Sequence, residues 1–249
     1  MDISRRIFLQ AAMASTASGG ITPLDQPAPK AIAFDAFPIF DIRPITARVE
    51  ELFAGKGAEL TNLWRIRQFE YQWLRALSHR YADFWQATQD ALVFAAKTLK
   101  LELTVAKRNE LMSMYLELPT WSDVPAALGV LRENGIRLAI LSNATPRILS
   151  GGIRKARLES VFERVISTDK IKSYKPDPRA YQLAVDAFQL PRERIGFAAF
   201  AGWDVAGAKA FGFPTFWVNR QQLPPEELGV SADGAGAGLE QLVSFWAKK

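Results

Sequence analysis

Asp35 is the residue whose position in this chain most clearly predicts chemistry. It directly follows the short apolar run Ala31–Phe34, which is typical of a buried strand. A carboxylate in that place lies where open α/β sheets bind their ligands, and it can attack an electrophilic carbon without first losing a proton. Two residues further on stands Phe37 rather than a second acid. The sequence therefore predicts a lone carboxylate nucleophile with no partner carboxylate for a metal ion.

Further polar residues are expected at the same edge of the sheet. Ser142 and Asn143, Lys175, and Asp204 are each predicted to follow a strand. Because the carboxyl ends of parallel strands meet at one edge, these side chains can converge. We expect Ser142 and nearby backbone N–H groups to hold an anion, and Lys175 to keep Asp35 ionised and oriented. The spacing leaves open whether Asp204 is a second carboxylate of the site or the cap of a helix.

Strand-like and helical patterns alternate through the second half of the chain. The predicted strands cover residues 31–34, 136–141, 164–167, 195–200 and 215–218. The predicted helices run from the capping residue Ser122 or Asp123 to 134, onward from 145, and over 177–188, 204–211 and 239–247. This order predicts an α/β fold with a Rossmann-like, doubly wound parallel sheet. Residues 229–238 are expected to form a flexible loop without a chemical role.

Residues 46–118 are predicted to be helical. Apolar residues such as Leu60, Leu63 and Trp64 recur there at spacings of three and four, and strand-like alternation is missing. An insertion after the first strand lies over the carboxyl edge of the sheet, where it can close a site and exclude water. We therefore expect a helical cap domain at 46–118 and a core domain made of 29–45 and 119–249.

The composition limits the chemistry. The chain has 249 residues, of which 49% are hydrophobic and 23% charged, as in ordinary folded proteins. It has no cysteine, which excludes disulfides, thiol nucleophiles and cysteine metal sites. Its single histidine, His79, is expected to be structural or exposed. The net charge of +5 is scattered, which indicates solubility or a modest attraction for anions rather than nucleic-acid binding.

The N-terminal segment has the pattern of a targeting signal. Ser4, Arg5, Arg6 and the following Ile-Phe-Leu resemble the twin-arginine export signal of bacteria, and the weakly apolar stretch after them is too short to span a bilayer. This pattern predicts that residues 1–28 are a signal peptide, with a periplasmic mature protein that has no membrane segment. The alternative is a disordered tail on a cytoplasmic protein.

Several stretches taken together resemble one family. From about residue 30 to the end, the chain is similar to the haloacid dehalogenase superfamily and, within it, to the L-2-haloacid dehalogenases. The stretches that carry the resemblance are Phe34-Asp35-Ala36-Phe37, Leu63-Trp64-Arg65, Glu70-Tyr71-Gln72-Trp73-Leu74-Arg75, Leu141-Ser142-Asn143, Ser173-Tyr174-Lys175-Pro176-Asp177 with Tyr181, and Trp203-Asp204.

The resemblance implies a reaction on a small halogenated carboxylic acid, without metal or cofactor. Asp35 would displace halide from C2 of the acid with inversion, which forms an aspartyl ester that water then hydrolyses. Lys175 would pair with Asp35. Arg65 from the cap, Asn143 and the ring edge of Trp203 would receive the leaving halide.

The remaining roles concern the substrate carboxylate and water. By resemblance, Ser142 and the backbone N–H groups near Ala36 and Phe37 would hold the substrate carboxylate. Asp204 would orient or deprotonate the hydrolytic water, and Tyr181 would support the lysine. Relatives of this kind are often homodimers, so a homodimer is also expected.

The sequence departs from the family pattern beside these residues. Ile39 stands in place of a hydroxyl-bearing threonine, Phe37 replaces the common tyrosine, and Ala199 and Ala201 replace the usual serine and asparagine. Two alternatives therefore stay open beside a dehalogenase. One is a member with an altered pocket, or a non-catalytic protein, that binds small carboxylates. The other is a magnesium phosphatase, although phosphatases of the superfamily usually have an acid where this chain has Phe37.

Overall fold

The computed structural model describes residues 28–247. Its strands are β1 (Ala31–Phe34), β2 (Arg137–Ser142), β3 (Arg164–Ser167), β4 (Ile195–Ala199), β5 (Thr215–Val218) and β6 (Gly234–Gly236). Its α-helices are α1 (Arg43–Leu52), α2 (Gly57–Leu77), α3 (Phe84–Thr98), α4 (Val105–Met114), α5 (Val124–Glu133), α6 (Pro146–Ala156), α7 (Pro178–Phe188), α8 (Gly202–Phe211) and α9 (Leu239–Trp246). Short 3₁₀ helices lie at Thr168–Ile171 and Arg192–Arg194.

The strands form one parallel sheet in the order β3-β2-β1-β4-β5-β6. Strand β1 pairs with β2 on one side and β4 on the other, so the chain order reverses at β1, which makes this the topological switch point of the sheet. Both β1 and β4 are fully buried because helices cover the two faces. The predicted α/β fold with a doubly wound parallel sheet is confirmed, and the switch point places the ends of β1 and β4 together.

One strand was missing from the prediction. Residues 234–236 pair with β5 as the edge strand β6, although the segment was expected to be a flexible loop. The sequence Gly-Ala-Gly has low β-propensity, so the pattern gave no signal. Its place depends instead on packing, because a side chain at Gly234 would overlap the rings of Phe216 and Phe245.

The predicted side-chain cap of α5 is wrong, and the capping role that the sequence left open for Asp204 is excluded. Asp123 occupies the N-cap position of α5, but its backbone is helical and its carboxylate accepts hydrogen bonds from Arg220 and from the N–H of Leu239. Asp204 lies inside the first turn of α8, whose N-cap residue is Ala201. Residues distant in sequence bind the carboxylate of Asp123, and the carboxylate of Asp204 does not cap a helix.

Helices α1 to α4 all lie between β1 and β2 in sequence and pack on one another. Helix α1 begins at Arg43, slightly before the start predicted for the helical block. The side chain of Tyr81, after α2, donates a hydrogen bond to Asp169 at 2.8 Å, and Tyr174 donates one to the carbonyl of Ala82. These bonds tie the block to the segment that follows β3, while its division from the core as a separate domain stays a prediction.

The ends of the chain carry two further expectations. Residues 1–27 of the predicted export signal lie outside the described residues. Across residues 28–247, the helices are too short or too polar for a membrane crossing. His79 is exposed just after α2, as expected.

Gly151 on α6 should be intolerant of a side chain, because a methyl group there would overlap the carbonyl oxygen of Leu116. We expect Gly151→Ala to lower the free energy of unfolding by about 1–3 kcal/mol, the usual cost of overpacking. Gly129→Ala is the matched control, since Gly129 lies within α5 and has open space around it. The control should be stabilising by roughly 0.5–1 kcal/mol. Urea unfolding measures both, and an equal effect of the two substitutions would contradict the packing.

Candidate active site

The carboxyl ends of β1 and β4 place the two acids of the site. The N–H of Asp35 donates to the carbonyl of Ala198 at 3.0 Å, which continues the pairing of β1 with β4 for one more residue. Asp204 follows β4 in the first turn of α8. Both are buried, with 7% of Asp35 and 1% of Asp204 exposed. Two carboxylates this deeply buried require a compensating charge.

Lys175 supplies that charge. Its Nζ donates to Asp35 Oδ1 at 2.8 Å and to Asp204 Oδ2 at 2.6 Å, and the residue has no exposed surface. The two pairs join residues 140 and 29 positions apart in the chain. Asp35, Lys175 and Asp204 therefore come together as the sequence predicts, although their catalytic roles stay predictions.

Lys175 reaches this place by a route that the sequence prediction did not describe. It does not follow a strand directly, because β3 ends at Ser167 and a 3₁₀ helix comes between. The loop before α7 is held by its backbone instead. Asn143 Oδ1 accepts from the N–H of Lys175 at 2.8 Å, and Trp73 Nε1 donates to its carbonyl at 3.2 Å. One bond comes from the end of β2 and the other from α2, so the sheet and the helical block both position the lysine.

Asn143 thus fixes the lysine loop in addition to its expected role. Its Nδ2 donates to the carbonyl of Lys175 at 3.5 Å and to Gln72 Oε1 at 3.1 Å. Gln72 is fully buried on α2, and sequence reasoning gave it no role. The sequence signal that could have identified Gln72 is a polar residue on a face of α2 that is otherwise packed. The predicted contact of Asn143 with a leaving halide stays a prediction.

The hydroxyl of Tyr181, the residue expected to support Lys175, contacts Asp204. Its hydroxyl donates to Asp204 Oδ1 at 2.7 Å, so it reaches the lysine only through that carboxylate. The expectation for Tyr181 comes from the family resemblance, which does not specify the atom that the hydroxyl contacts. The Asp204 carboxylate is consequently held at one oxygen by an ammonium and at the other by a phenol.

Burial dominates the protonation of the site. It raises the pKa of Asp204 to about 6, against the opposing effect of Lys175, with Asp35 adding to the rise and the Tyr181 hydroxyl opposing it. Burial would lower the pKa of Lys175, but the carboxylates of Asp204 and Asp35 outweigh it and raise that pKa. Burial, together with the charge of Asp204, raises the pKa of Tyr181 well above its usual value. The lysine is therefore a fixed cation, while the pKa of Asp204 is raised to about 6.

The backbone after Asp35 provides donors for an anion. The N–H of Phe37 lies 3.3 Å from Asp35 Oδ2, and Ala36 is buried beside it. Ser142 is buried at the end of β2, where its Oγ accepts from the N–H of Ala144 at 3.2 Å. These groups lie at the ends of the adjacent strands β1 and β2, as expected. Their contact with a substrate carboxylate stays a prediction.

An aromatic cluster joins the helical block to the core. The ring of Trp203, next to Asp204, lies 5.3 Å from the rings of both Phe69 and Trp73 on α2. Trp203 Nε1 is buried and has no hydrogen-bond partner within the described part of the chain. This apolar contact excludes water from one side of the site and leaves one indole donor available.

Arg65 lies on α2 two turns before Gln72, and therefore on the same side of the helix. It is half-buried, and among residues 28–247 its guanidinium makes no hydrogen bond or ion pair. Burial lowers its pKa. A guanidinium without a partner at this face can accept an anion, which agrees with its predicted role without testing it.

The residues that depart from the family pattern are all apolar. Ala199 ends β4 and is fully buried, and Ala201 is the N-cap of α8 without a side-chain bond. Ile39 is fully buried in the core. Asp204 accepts side-chain hydrogen bonds from Lys175 and Tyr181 alone among the described residues. Two donors therefore fix a carboxylate that has alanines, rather than polar residues, before it.

Tyr181→Phe should raise the pKa of Asp204 above the wild-type value of about 6, because the lost hydroxyl lowers that pKa. The ring packing against Phe197, Phe211 and Phe213 is kept. Carbon-13 NMR of the labelled carboxyl groups measures the titration. Tyr81→Phe is the matched control, since its hydroxyl bonds Asp169 instead. An unchanged Asp204 titration in Tyr181→Phe would contradict the assignment of this bond.

Comparison with known proteins supplies the family. A haloacid dehalogenase-like hydrolase model matches residues 10–212. The (S)-2-haloacid dehalogenase of Pseudomonas sp. strain YL is 41% identical over 218 residues, which cover 87% of this chain and 94% of that protein. The crystal structure of the L-2-haloacid dehalogenase RSc1362 superposes with a TM-score of 0.87 at 39% identity, covering 89% of this chain and all of that one.

A further solved structure carries a covalent adduct. The L-2-haloacid dehalogenase from Xanthobacter autotrophicus with covalently bound chloropropionic acid is 31% identical, has a TM-score of 0.78, and is matched over 86% of this chain and 96% of that one. Identities of 31–41% over 86–89% of this chain agree with the fold described above. This chain belongs to the haloacid dehalogenase-like hydrolase family.

Proposed function

We propose that this protein is a hydrolase acting on carbon–halide bonds, which converts short (S)-2-haloacids to (R)-2-hydroxyacids through an ester at Asp35. One observation carries the proposal: the buried Nζ of Lys175 joins Asp35 and Asp204, at 2.8 and 2.6 Å. This arrangement pairs a nucleophile with a second carboxylate that can activate water. The names of the similar proteins, which are (S)- and L-2-haloacid dehalogenases, support the substrate class.

The first half of the reaction is displacement at carbon. Lys175 binds Oδ1 of Asp35, whereas among residues 28–247 Oδ2 has only the long contact with the N–H of Phe37 at 3.3 Å. Oδ2 is therefore the less constrained oxygen and attacks C2 of the acid. The new O–C bond forms as the C–halogen bond breaks, and the electron pair of the broken bond leaves with the halide. Arg65, Asn143 and Trp203 are proposed to stabilise that developing anion, as donors in a dry site do.

The second half is hydrolysis of the ester. Asp204 takes a proton from water, and the resulting hydroxide attacks the carboxyl carbon of Asp35, which expels the hydroxyl oxygen of the product as an alkoxide. The proton of the new Asp35 carboxyl group passes to that alkoxide, and Asp204 releases its own proton to solvent. Lys175 still faces Oδ1, which is now the ester carbonyl oxygen and gains negative charge in this step. The pKa of Asp204 is about 6, so its basic form is lost as the pH falls through that value. Because the esterified Asp35 has no charge to raise this pKa, hydrolysis should slow only at a pH below about 6.

The two alternatives from the sequence gain no specific support. A phosphatase of this superfamily would need an acid where Phe37 packs its ring 5.9 Å from that of Phe200. A non-catalytic carboxylate-binding protein was suggested by Ala199 and Ala201, yet Asp204 keeps two side-chain donors without them.

Halide release from (S)-2-chloropropionate tests the proposal. Wild-type protein should release chloride with and without EDTA and should spare the (R)-enantiomer. Asp35→Asn should lower the rate by at least about 1,000-fold, since removal of a covalent nucleophile has effects of that size or larger. Asp186→Asn is the control, because Asp186 is an exposed acid on α7 that bonds only Gln182 through its side chain.

The other outcomes are equally informative. Full activity of Asp35→Asn would remove the proposed nucleophile. Metal-dependent phosphate release without halide release would make the protein a phosphatase, and binding of 2-chloropropionate without turnover would make it a non-catalytic carboxylate-binding protein.

We also propose that the chain is exported to the bacterial periplasm and forms a homodimer. The pair Arg5-Arg6 supports export, and its replacement by two lysines should retain the protein in the cytoplasm on cell fractionation. Exposed apolar side chains on α2, Ile66, Leu74 and Leu77, support association of two copies. Light scattering should give about twice the chain mass. A monomer, or export without the arginines, would refute the respective proposal.

A further inference from the structure

The loop that follows the nucleophile is anchored from one side through its carbonyl groups. Trp121 Nε1 donates to the carbonyl of Phe37 at 3.0 Å, and Arg220 Nη2 donates to that of Pro38 at 2.8 Å. The backbone N–H of Trp121 donates to the carbonyl of Ile39 at 3.2 Å. Three consecutive carbonyls beside Asp35 are thus held by two residues that sequence reasoning did not single out.

Arg220 is itself held by a buried ion pair. Its Nη2 and Nη1 donate to the carboxylate of Asp123 at 2.9 and 3.2 Å, and the two side chains are only 6% and 14% exposed. The same carboxylate accepts from the N–H of Leu239, at the start of α9, at 2.7 Å. The guanidinium lies 4.4 Å from the centre of the Trp121 ring. Arginine suits this place because its rigid planar fork can bond a carboxylate and a carbonyl and stack on a ring at once.

Fold stability alone is a weak reason for this arrangement. Buried ion pairs often stabilise a fold no better than apolar residues of similar size. Arg220 Nε is also buried without a partner in the described residues, a further cost that apolar residues would avoid. The bond to Pro38, by contrast, lies directly on the loop whose Phe37 N–H faces Asp35 Oδ2.

We infer that Arg220, Trp121 and Asp123 form a positioning brace, which sets the N–H of Phe37 and the carboxylate of Asp35 for attack on the substrate. The inference rests on the proposed function and assigns it three positioning residues outside the reacting groups. Displacement demands an aligned nucleophile, and a shift of about 1 Å in such a group can cost about 100-fold in rate. The brace contacts the nucleophile loop but neither Asp204 nor Tyr181, so it should act on ester formation more than on ester hydrolysis.

Single-turnover kinetics of Arg220→Ala test the brace. With (S)-2-chloropropionate, halide release should slow by about 10- to 100-fold, while breakdown of the accumulated ester changes less. Arg220→Lys keeps the positive charge but lacks the planar guanidinium. Its rate of halide release should lie between those of the wild type and Arg220→Ala. Trp121→Phe removes one bond to the loop and keeps a ring, so it should slow halide release more mildly. If Arg220→Ala fails to fold, these two variants decide.

Arg137 offers a matched control. Its guanidinium also pairs with a carboxylate, that of Glu163 at 2.6 and 2.7 Å, also bonds a backbone carbonyl, that of Phe188, and also lies over an aromatic ring. It begins β2, at the opposite edge of the sheet from the site. Arg137→Ala and Arg137→Lys should therefore change stability without separating the two chemical steps.

Amide hydrogen exchange gives a readout that does not depend on turnover. The N–H groups of Ile39 and Phe40 both donate to the carbonyl of Ala36, within the braced loop. They should exchange faster in Arg220→Ala and unchanged in Arg137→Ala. If wild-type protein consumes no haloacid, the proposed function fails and these amides alone decide on the brace. The inference would be overturned if folded Arg220→Ala released halide and exchanged these amides at the wild-type rates. Equal changes of these rates in Arg137→Ala would also overturn it.

Discussion

A single buried ammonium constrains the rest of this structure. Lys175 has no exposed surface, and Asp35 and Asp204 each bind its Nζ. Removal of a charge from water costs several kcal/mol even after relaxation, so the group is tolerable only with its partners in place. Loss of either acid would leave a buried charge without full compensation. The parts of the chain that carry Asp35, Lys175 and Asp204 must therefore lie within hydrogen-bond distance of one another. This requirement explains the surrounding architecture.

Each layer of the fold contributes to that meeting. The sheet supplies the acids at the switch point, because β1 and β4 are neighbours and end at the same edge. The lysine, which no strand positions, is held by Asn143 of the core and by Trp73 of the helical block. A helix that positions the lysine also encloses it, so exclusion of water and orientation of the charge depend on the same contacts. The apolar contact of Trp203 with α2 completes this enclosure.

The sequence predicts what depends on local patterns and fails where tertiary contacts decide. Strand β1 and the position of Asp35 follow from an apolar run with an acid at its end, which the structure confirms. Strand β6 has no such pattern, since the rings of Phe216 and Phe245 leave no space for a side chain at Gly234. The bond from Tyr181 to Asp204 could not be predicted, because neither a helical position nor the family resemblance reveals which of two adjacent charges a hydroxyl meets. Arg220 passes as an ordinary loop arginine until the carbonyl that it binds is known.

The most direct measurement follows oxygen through Asp35. If its carboxylate forms the ester and water attacks the carboxyl carbon, turnover of (S)-2-chloropropionate in oxygen-18 water must place the label in that side chain. Mass spectrometry of the peptide that contains Asp35 should then show the added mass after many turnovers, and the product of a single turnover should be unlabelled. Label found in the first product but never in Asp35 would show direct attack of water on the substrate, and would contradict the account.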